Sequence, residues 1–247
     1  MATINNNGVV IYYEVLGEGE PVVLLHGFTA SSAQWQYTGI AGELAKDYQV
    51  ILVDLRGHGK SDKPHGSEAY SLEHRLSDIN AVLDDLHLDR AHLLGYSMGG
   101  WLAFGMAAQY PERVSSLIAG GAHPFDESAE PFRHVSGGDP QAFIEALEAF
   151  IGETIVDAAK PVVLQNDLVA LVAAAVDRHD QSAALDGMTI PMFLFIGEHD
   201  QRLVAATRAA EHLGAELLVL PRVGHAMTLF GGPELIGAIQ RFLGKVT

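Results

Sequence analysis

Short apolar runs alternate along this chain with stretches of helical period. Val22-Val23-Leu24-Leu25 and Val50-Ile51-Leu52-Val53 carry no polar alternation, as strands covered on both faces require. His92-Leu93-Leu94, Ser115-Ser116-Leu117-Ile118-Ala119, Met192-Phe193-Leu194-Phe195-Ile196 and Glu216-Leu217-Leu218-Val219-Leu220 continue the series. Residues 9–15, after the turn-forming Asn5-Asn6-Asn7-Gly8, read as an edge strand. Between the runs, Leu72, Leu76, Ile79, Leu83 and Leu86 form one stripe of an amphipathic helix. Residues 101–108 are apolar almost all round, which predicts a helix packed on both sides. Pro233 opens a last helix whose stripe is Leu235, Ile236, Ile239 and Phe242. Strands alternating with helices predict a largely parallel sheet covered on both faces.

Residues 123–186 break the alternation. Asp139-Pro140 starts a helix with Phe143, Leu147 and Ile151 on one face, and Pro161 starts another with Leu164, Leu168, Leu171 and Ala175 aligned. Both stripes need something to bury against, and a helical lid over the strand ends meets that need. The plainer expectation is a small helical domain with no gating role. The predicted organisation is a core of residues 1–122 and 187–247 with a cap of residues 123–186.

Composition narrows the function classes. The 247-residue chain suits one α/β domain with an insertion. A net charge of −16 argues against nucleic acid and anionic membrane surfaces, both of which need basic patches. With no cysteine, disulfides, thiolate chemistry and Cys-ligated metals are excluded. Residues 1–7 lack the basic and apolar regions of a signal peptide, and no apolar run reaches membrane-spanning length, so a cytoplasmic protein is expected.

The chemistry centres on Gly95-Tyr96-Ser97-Met98-Gly99, which follows an apolar strand and opens into the apolar helix. A G-x-S-x-G between strand and helix is a nucleophile elbow, with small residues where the turn crowds its own backbone. It places the Met98 N–H at a helix start, facing charge that develops beside Ser97. A serine hydroxyl needs a base, and the base needs an orienting carboxylate. His225, in Val223-Gly224-His225-Ala226, follows the strand ending at Leu220; Asp200, in Gly197-Glu198-His199-Asp200, follows residues 192–196. The order Ser, Asp, His suits this fold. Glu198 reads as a solvated loop charge and Asp126 as part of the lid. Phe28, in His26-Gly27-Phe28, supplies a second N–H donor, while His26 holds the loop. Trp35, His123, Met227 and Leu229 flank these blocks, as do Phe28 and Met98, and could line an apolar pocket; for Trp35 and Leu229, core packing is the competing role.

These blocks, with Asp54-Leu55-Arg56-Gly57-His58-Gly59-Lys60-Ser61, resemble the α/β-hydrolase superfamily over essentially the whole chain. The resemblance implies a mostly parallel eight-stranded sheet with helices on both faces and a short helical cap. It also implies a cofactor-free serine esterase or perhydrolase-like branch, with the Asp54–Ser61 block a structural loop. Serine at position 97, where a carboxylate would mark a dehalogenase or epoxide hydrolase, speaks against both. The expected substrate is a small-molecule ester or lactone, and the expected partner at most a second copy in a weak homodimer. The expected activity is a carboxylesterase, without metal or organic cofactor. Lactone hydrolysis, perhydrolysis, carbon–carbon bond hydrolysis and a ligand receptor with a vestigial triad use the same groups.

Overall fold

In the computed structural model, which describes residues 1–246, the continuous apolar runs become the interior of one eight-stranded sheet. Its strands are β1 (Ala2–Asn6), β2 (Val9–Leu16), β3 (Glu20–Leu25), β4 (Tyr48–Asp54), β5 (Ala91–Tyr96), β6 (Val114–Gly120), β7 (Met192–Gly197) and β8 (Glu216–Leu220). The spatial order is β1-β2-β4-β3-β5-β6-β7-β8. β1 and β2 pair antiparallel, as do β2 and β4, and all other pairs are parallel.

One strand departs from expectation. Residues 9–15 are not the edge, because β1 lies outside them. Asn7 and Gly8 both take positive φ, the geometry of a two-residue hairpin turn whose twist matches the strands. β1 shields only Ala2, Ile4 and Asn6 partially and exposes Thr3 and Asn5, so its apolar pattern is weak.

The helices are α1 (Ala33–Tyr37), α2 (Ile40–Leu44), α3 (Leu72–Asp85), α4 (Met98–Gln109), α5 (Pro140–Ile151), α6 (Lys160–Val163), α7 (Leu168–Ala174), α8 (Ser182–Leu185), α9 (Leu203–Leu213) and α10 (Gly232–Val246). Strand side chains alternate between two apolar layers. Val23, Leu25, Leu93 and Leu117 pack with Leu76 and Ile79 of α3 and with α4. Val22, Leu24, Leu94 and Ile118 pack with Ile40 and Leu44 of α2 and with Leu235, Ile239 and Phe242 of α10. As its composition requires, α4 is buried from Met98 through Ala107.

Above the carboxyl ends of the strands lie α5, α6 and α7. Asp139 caps α5 by accepting from the Gln141 and Ala142 N–H groups. The helix predicted from Pro161 is in fact two. Gln165-Asn166-Asp167 interrupts it, and Asp167 caps α7 through the Ala170 N–H. Phe132, Phe143, Leu147, Ile155 and Leu171 form their own apolar cluster, against which Phe28 of the β3 loop packs. The neighbouring strands β3 and β5 are separated in sequence by β4, which lies to one side. Such a reversal opens a crevice at the strand ends, and the loops after β3 and β5 meet there.

Candidate active site

Ser97 sits at the tight turn between β5 and α4 with φ 52° and ψ −108°, a strained conformation for a residue with a side chain. The turn closes only because its flanks lack side chains. A Cβ on Gly95 would meet Gly99 O at 2.2 Å, and one on Gly99 would meet Leu25 O at 2.0 Å. The Ser97 N–H donates to Gly120 O at 2.7 Å, fixing the elbow to β6.

The structure brings three of the expected residues together. The Ser97 hydroxyl lies 3.0 Å from His225 Nε2, and His225 Nδ1 lies 2.6 Å from Asp200 Oδ2. All three side chains are buried. Burial pushes the Asp200 carboxyl up, but the hydrogen bond and charge of His225 and the Arg202 N–H hold it below the usual aspartate value. An ionised Asp200 holds His225 with the Nδ1 proton facing it, leaving Nε2 free to accept from Ser97. Among the described residues, neither the Phe28 nor the Met98 N–H donates to a protein acceptor. Both are available to an oxyanion.

Supporting residues surround this set. His26 accepts the Leu55 N–H at 3.0 Å on Nε2 and donates from Nδ1 to Gly27 O at 2.8 Å, clamping the β3 loop to the β4 loop. Arg56 forms a buried two-pronged pair with Asp78, and Asp54 receives the Ser32 and Lys60 N–H groups. The block from Asp54 to Ser61 is thus braced loop structure. Glu198 receives the Arg222 N–H, and Asp126 receives the Asp180 N–H; neither meets His225.

Other supports carry no motif. The Tyr96 hydroxyl donates to His225 O, and burial pushes its phenol up, so it remains a neutral donor. Behind Asp200, Arg202 binds Glu127, which also binds Arg178 at 2.7 Å. Burial raises the Glu127 carboxyl, but the two guanidinium groups pull it below its usual range. The Glu153 carboxylate receives the Ala226 N–H next to the imidazole. These partners lie tens of residues apart in the chain, so no local spacing points to them.

A cleft of about 650 Å³ opens over Ser97 and His225. Leu147, Phe150, Ile151, Ile155 and Val163 of the 123–186 segment line it together with Phe28 and Ala30 of the loop after β3. Its volume falls in the range of small-molecule sites. Of the six expected pocket residues, Phe28 lines this cleft and Met98 a small adjoining cavity, while the other four are elsewhere. Trp35 and Leu229 are fully packed in the core on the α10 side of the sheet, because α1 and the helical turn of residues 225–230 turn these side chains onto the sheet. His123 is half-buried beside Phe125 and Glu127, and Met227 is half exposed outside the cleft. The cleft walls come instead from residues 27–37 and from the 123–186 segment, whose pattern predicts helices but not which residues converge.

Comparison with known proteins agrees with this architecture. The family described as alpha/beta hydrolase fold matches residues 20–155, and the chain belongs to that family. A candidate 2-succinyl-6-hydroxy-2,4-cyclohexadiene-1-carboxylate synthase of Bacillus subtilis (strain 168) is 29% identical over 280 aligned positions, with 100% of each chain covered. Epoxide hydrolase 4 of Mus musculus is 37% identical over 117 residues, spanning 47% of this chain and 32% of that protein. The crystal structure of the enol-lactonase from Burkholderia xenovorans LB400 superposes with a TM-score of 0.83 at 21% identity, covering 98% and 100% of the two chains. Among the described residues, no helix is long and apolar enough to cross a membrane.

Proposed function

We propose that this hydrolase-family chain cleaves carboxylic esters through an acyl-serine. The observation that carries the reading is the continuous hydrogen-bond line from Ser97 through His225 to Asp200, set beside two unused N–H donors. His225 Nε2 takes the Ser97 proton as the oxygen attacks the ester carbonyl. Asp200 keeps the imidazole in the required tautomer and stabilises the imidazolium. The Phe28 and Met98 N–H groups hold the tetrahedral oxyanion. His225 then protonates the leaving alcohol and activates water to release the acid. Residues 123–186 act as the cap whose apolar wall receives the substrate's alkyl part.

The serine separates this reading from epoxide opening. An epoxide attacked by serine leaves an alkyl ether, which water cannot cleave through a carbonyl, whereas an acyl-serine is an ordinary ester. Initial rates on p-nitrophenyl esters from acetate to laurate test the proposal. Turnover by the native chain and a loss of about 10⁴-fold or more in Ser97→Ala support it. Equal rates in both proteins overturn it.

A further inference from the structure

Among the described residues, four arginines are buried, and three of them hold carboxylates. Arg56 pairs with Asp78, while Arg178 and Arg202 share Glu127. Arg75 of α3 is the exception. It is 4% exposed, and its Nε and Nη2 donate to the carbonyls of Tyr70 and Ala174. Its Nη1 meets only the Met98 thioether sulfur, at 3.1 Å. A guanidinium has five N–H donors and sulfur is a weak acceptor, so two donors stay uncommitted, and the charge meets the face of the Tyr70 ring at 5.3 Å rather than a paired carboxylate. Burial and the neighbouring Arg178 draw this guanidinium down to about 9, a sign of how poorly its charge is compensated. An isolated buried charge is costly to keep.

The uncommitted group borders a small cavity of about 20 Å³, lined also by Phe28, Met98, Trp101, Phe150 and Arg178. That is room for one water-sized group. Phe28 and Phe150 also wall the main cleft over Ser97, and Met98 supplies one of the two free N–H donors. The cavity therefore lies within reach of a short substrate chain whose ester carbonyl rests against the elbow.

We propose that this cavity is a carboxylate subsite, in which Arg75 receives the free acid group of a substrate that also carries the scissile ester. The substrate class is a dicarboxylic hemiester, or a lactone bearing a carboxylate. The proposal rests on the acyl-serine reading above. A leading carboxylate oxygen fills the cavity and takes the free Arg75 donors, and the alkyl chain passes between Phe28 and Phe150. Arg178, which shares the single Glu127 carboxylate with Arg202, adds a second positive wall.

The test compares monomethyl glutarate with methyl 5-methylhexanoate, its neutral isostere, by proton release at neutral pH. Native protein, Arg75→Met and Arg75→Lys are assayed, and the readout is the ratio of kcat/KM for the two esters. The expected native ratio favours the hemiester by about ten- to hundred-fold, as a charge-assisted hydrogen bond implies. In Arg75→Met the ratio falls to about one or below, and Arg75→Lys retains part of it. Native preference for the neutral ester overturns the proposal, and so does an unchanged ratio in Arg75→Met, which is what a merely structural arginine produces. If neither ester is turned over, the acyl-serine reading fails and free glutarate decides the subsite. Glutarate then raises the thermal midpoint of the native chain more than that of Arg75→Met, or the subsite is refuted.

Discussion

Single atoms set the strictest limits at the elbow. A methyl on Gly99 would stand 2.0 Å from the Leu25 carbonyl oxygen, and both partners are backbone, so neither can swing aside. Gly42, in α2, has open space where its Cβ would point. Gly99→Ala is expected to lower stability by about 3 kcal/mol, lowering the melting midpoint by roughly 6–12 °C. Gly42→Ala is expected to leave the midpoint unchanged or raise it by about 1–4 °C. Calorimetric melts of the two variants check the contrast. The elbow was legible in the sequence because its constraint is local: five consecutive residues state it. Arg75 was not legible. It sits beside the apolar stripe of α3 and looks like an ordinary flanking charge until the carboxyl end of α7 closes over it.

Elements differ in how firmly they are held. The central strands are sandwiched between two apolar layers, which is also why their sequences are uninterrupted and easily read. β1 escaped reading because only one of its faces is even half covered, and the break between α6 and α7 escaped because Asp167 looks the same mid-helix as at a cap. That aspartate also pairs with His65 at 2.9 Å, and the adjacent Asn166 side chain donates to Thr29 O. α7 is therefore tied to the core by a few polar contacts at its amino end. Asp167→Ala is expected to cost about 1 kcal/mol of cap stability, raising amide exchange in α7 about fivefold while β5 stays protected. Hydrogen-exchange mass spectrometry resolves the two segments. The cleft walls were illegible for the same reason that these contacts were: they are made by residues distant in the chain.

Over the whole molecule, one buried charge cluster links the 123–186 segment to the sheet. Glu127 and Arg178 belong to that segment and Arg202 to the loop that carries Asp200, which accepts the Arg202 N–H. Because the folded Glu127 carboxyl is held below its ordinary 4.5, its contribution to stability is complete above that pH. It is lost as the pH falls through the lower folded value. Glu127→Gln is expected to be destabilised by about 3–5 kcal/mol at pH 7, with the gap to the native chain closing as the pH falls below 4.5. Urea midpoints measured across that range provide the check, and a gap that stays constant with pH contradicts it. The same cluster bears on any attempt to rebuild this protein by exchanging caps. Seams at the proposed cap boundaries, residues 123 and 186, would carry off Glu127 and Arg178 with the graft. They would strand Arg202 beside the acid that orients the base. A transplant that keeps the host's own 127 and 178, and replaces only what lies between them, leaves the wiring behind Asp200 intact while giving the cleft a new wall.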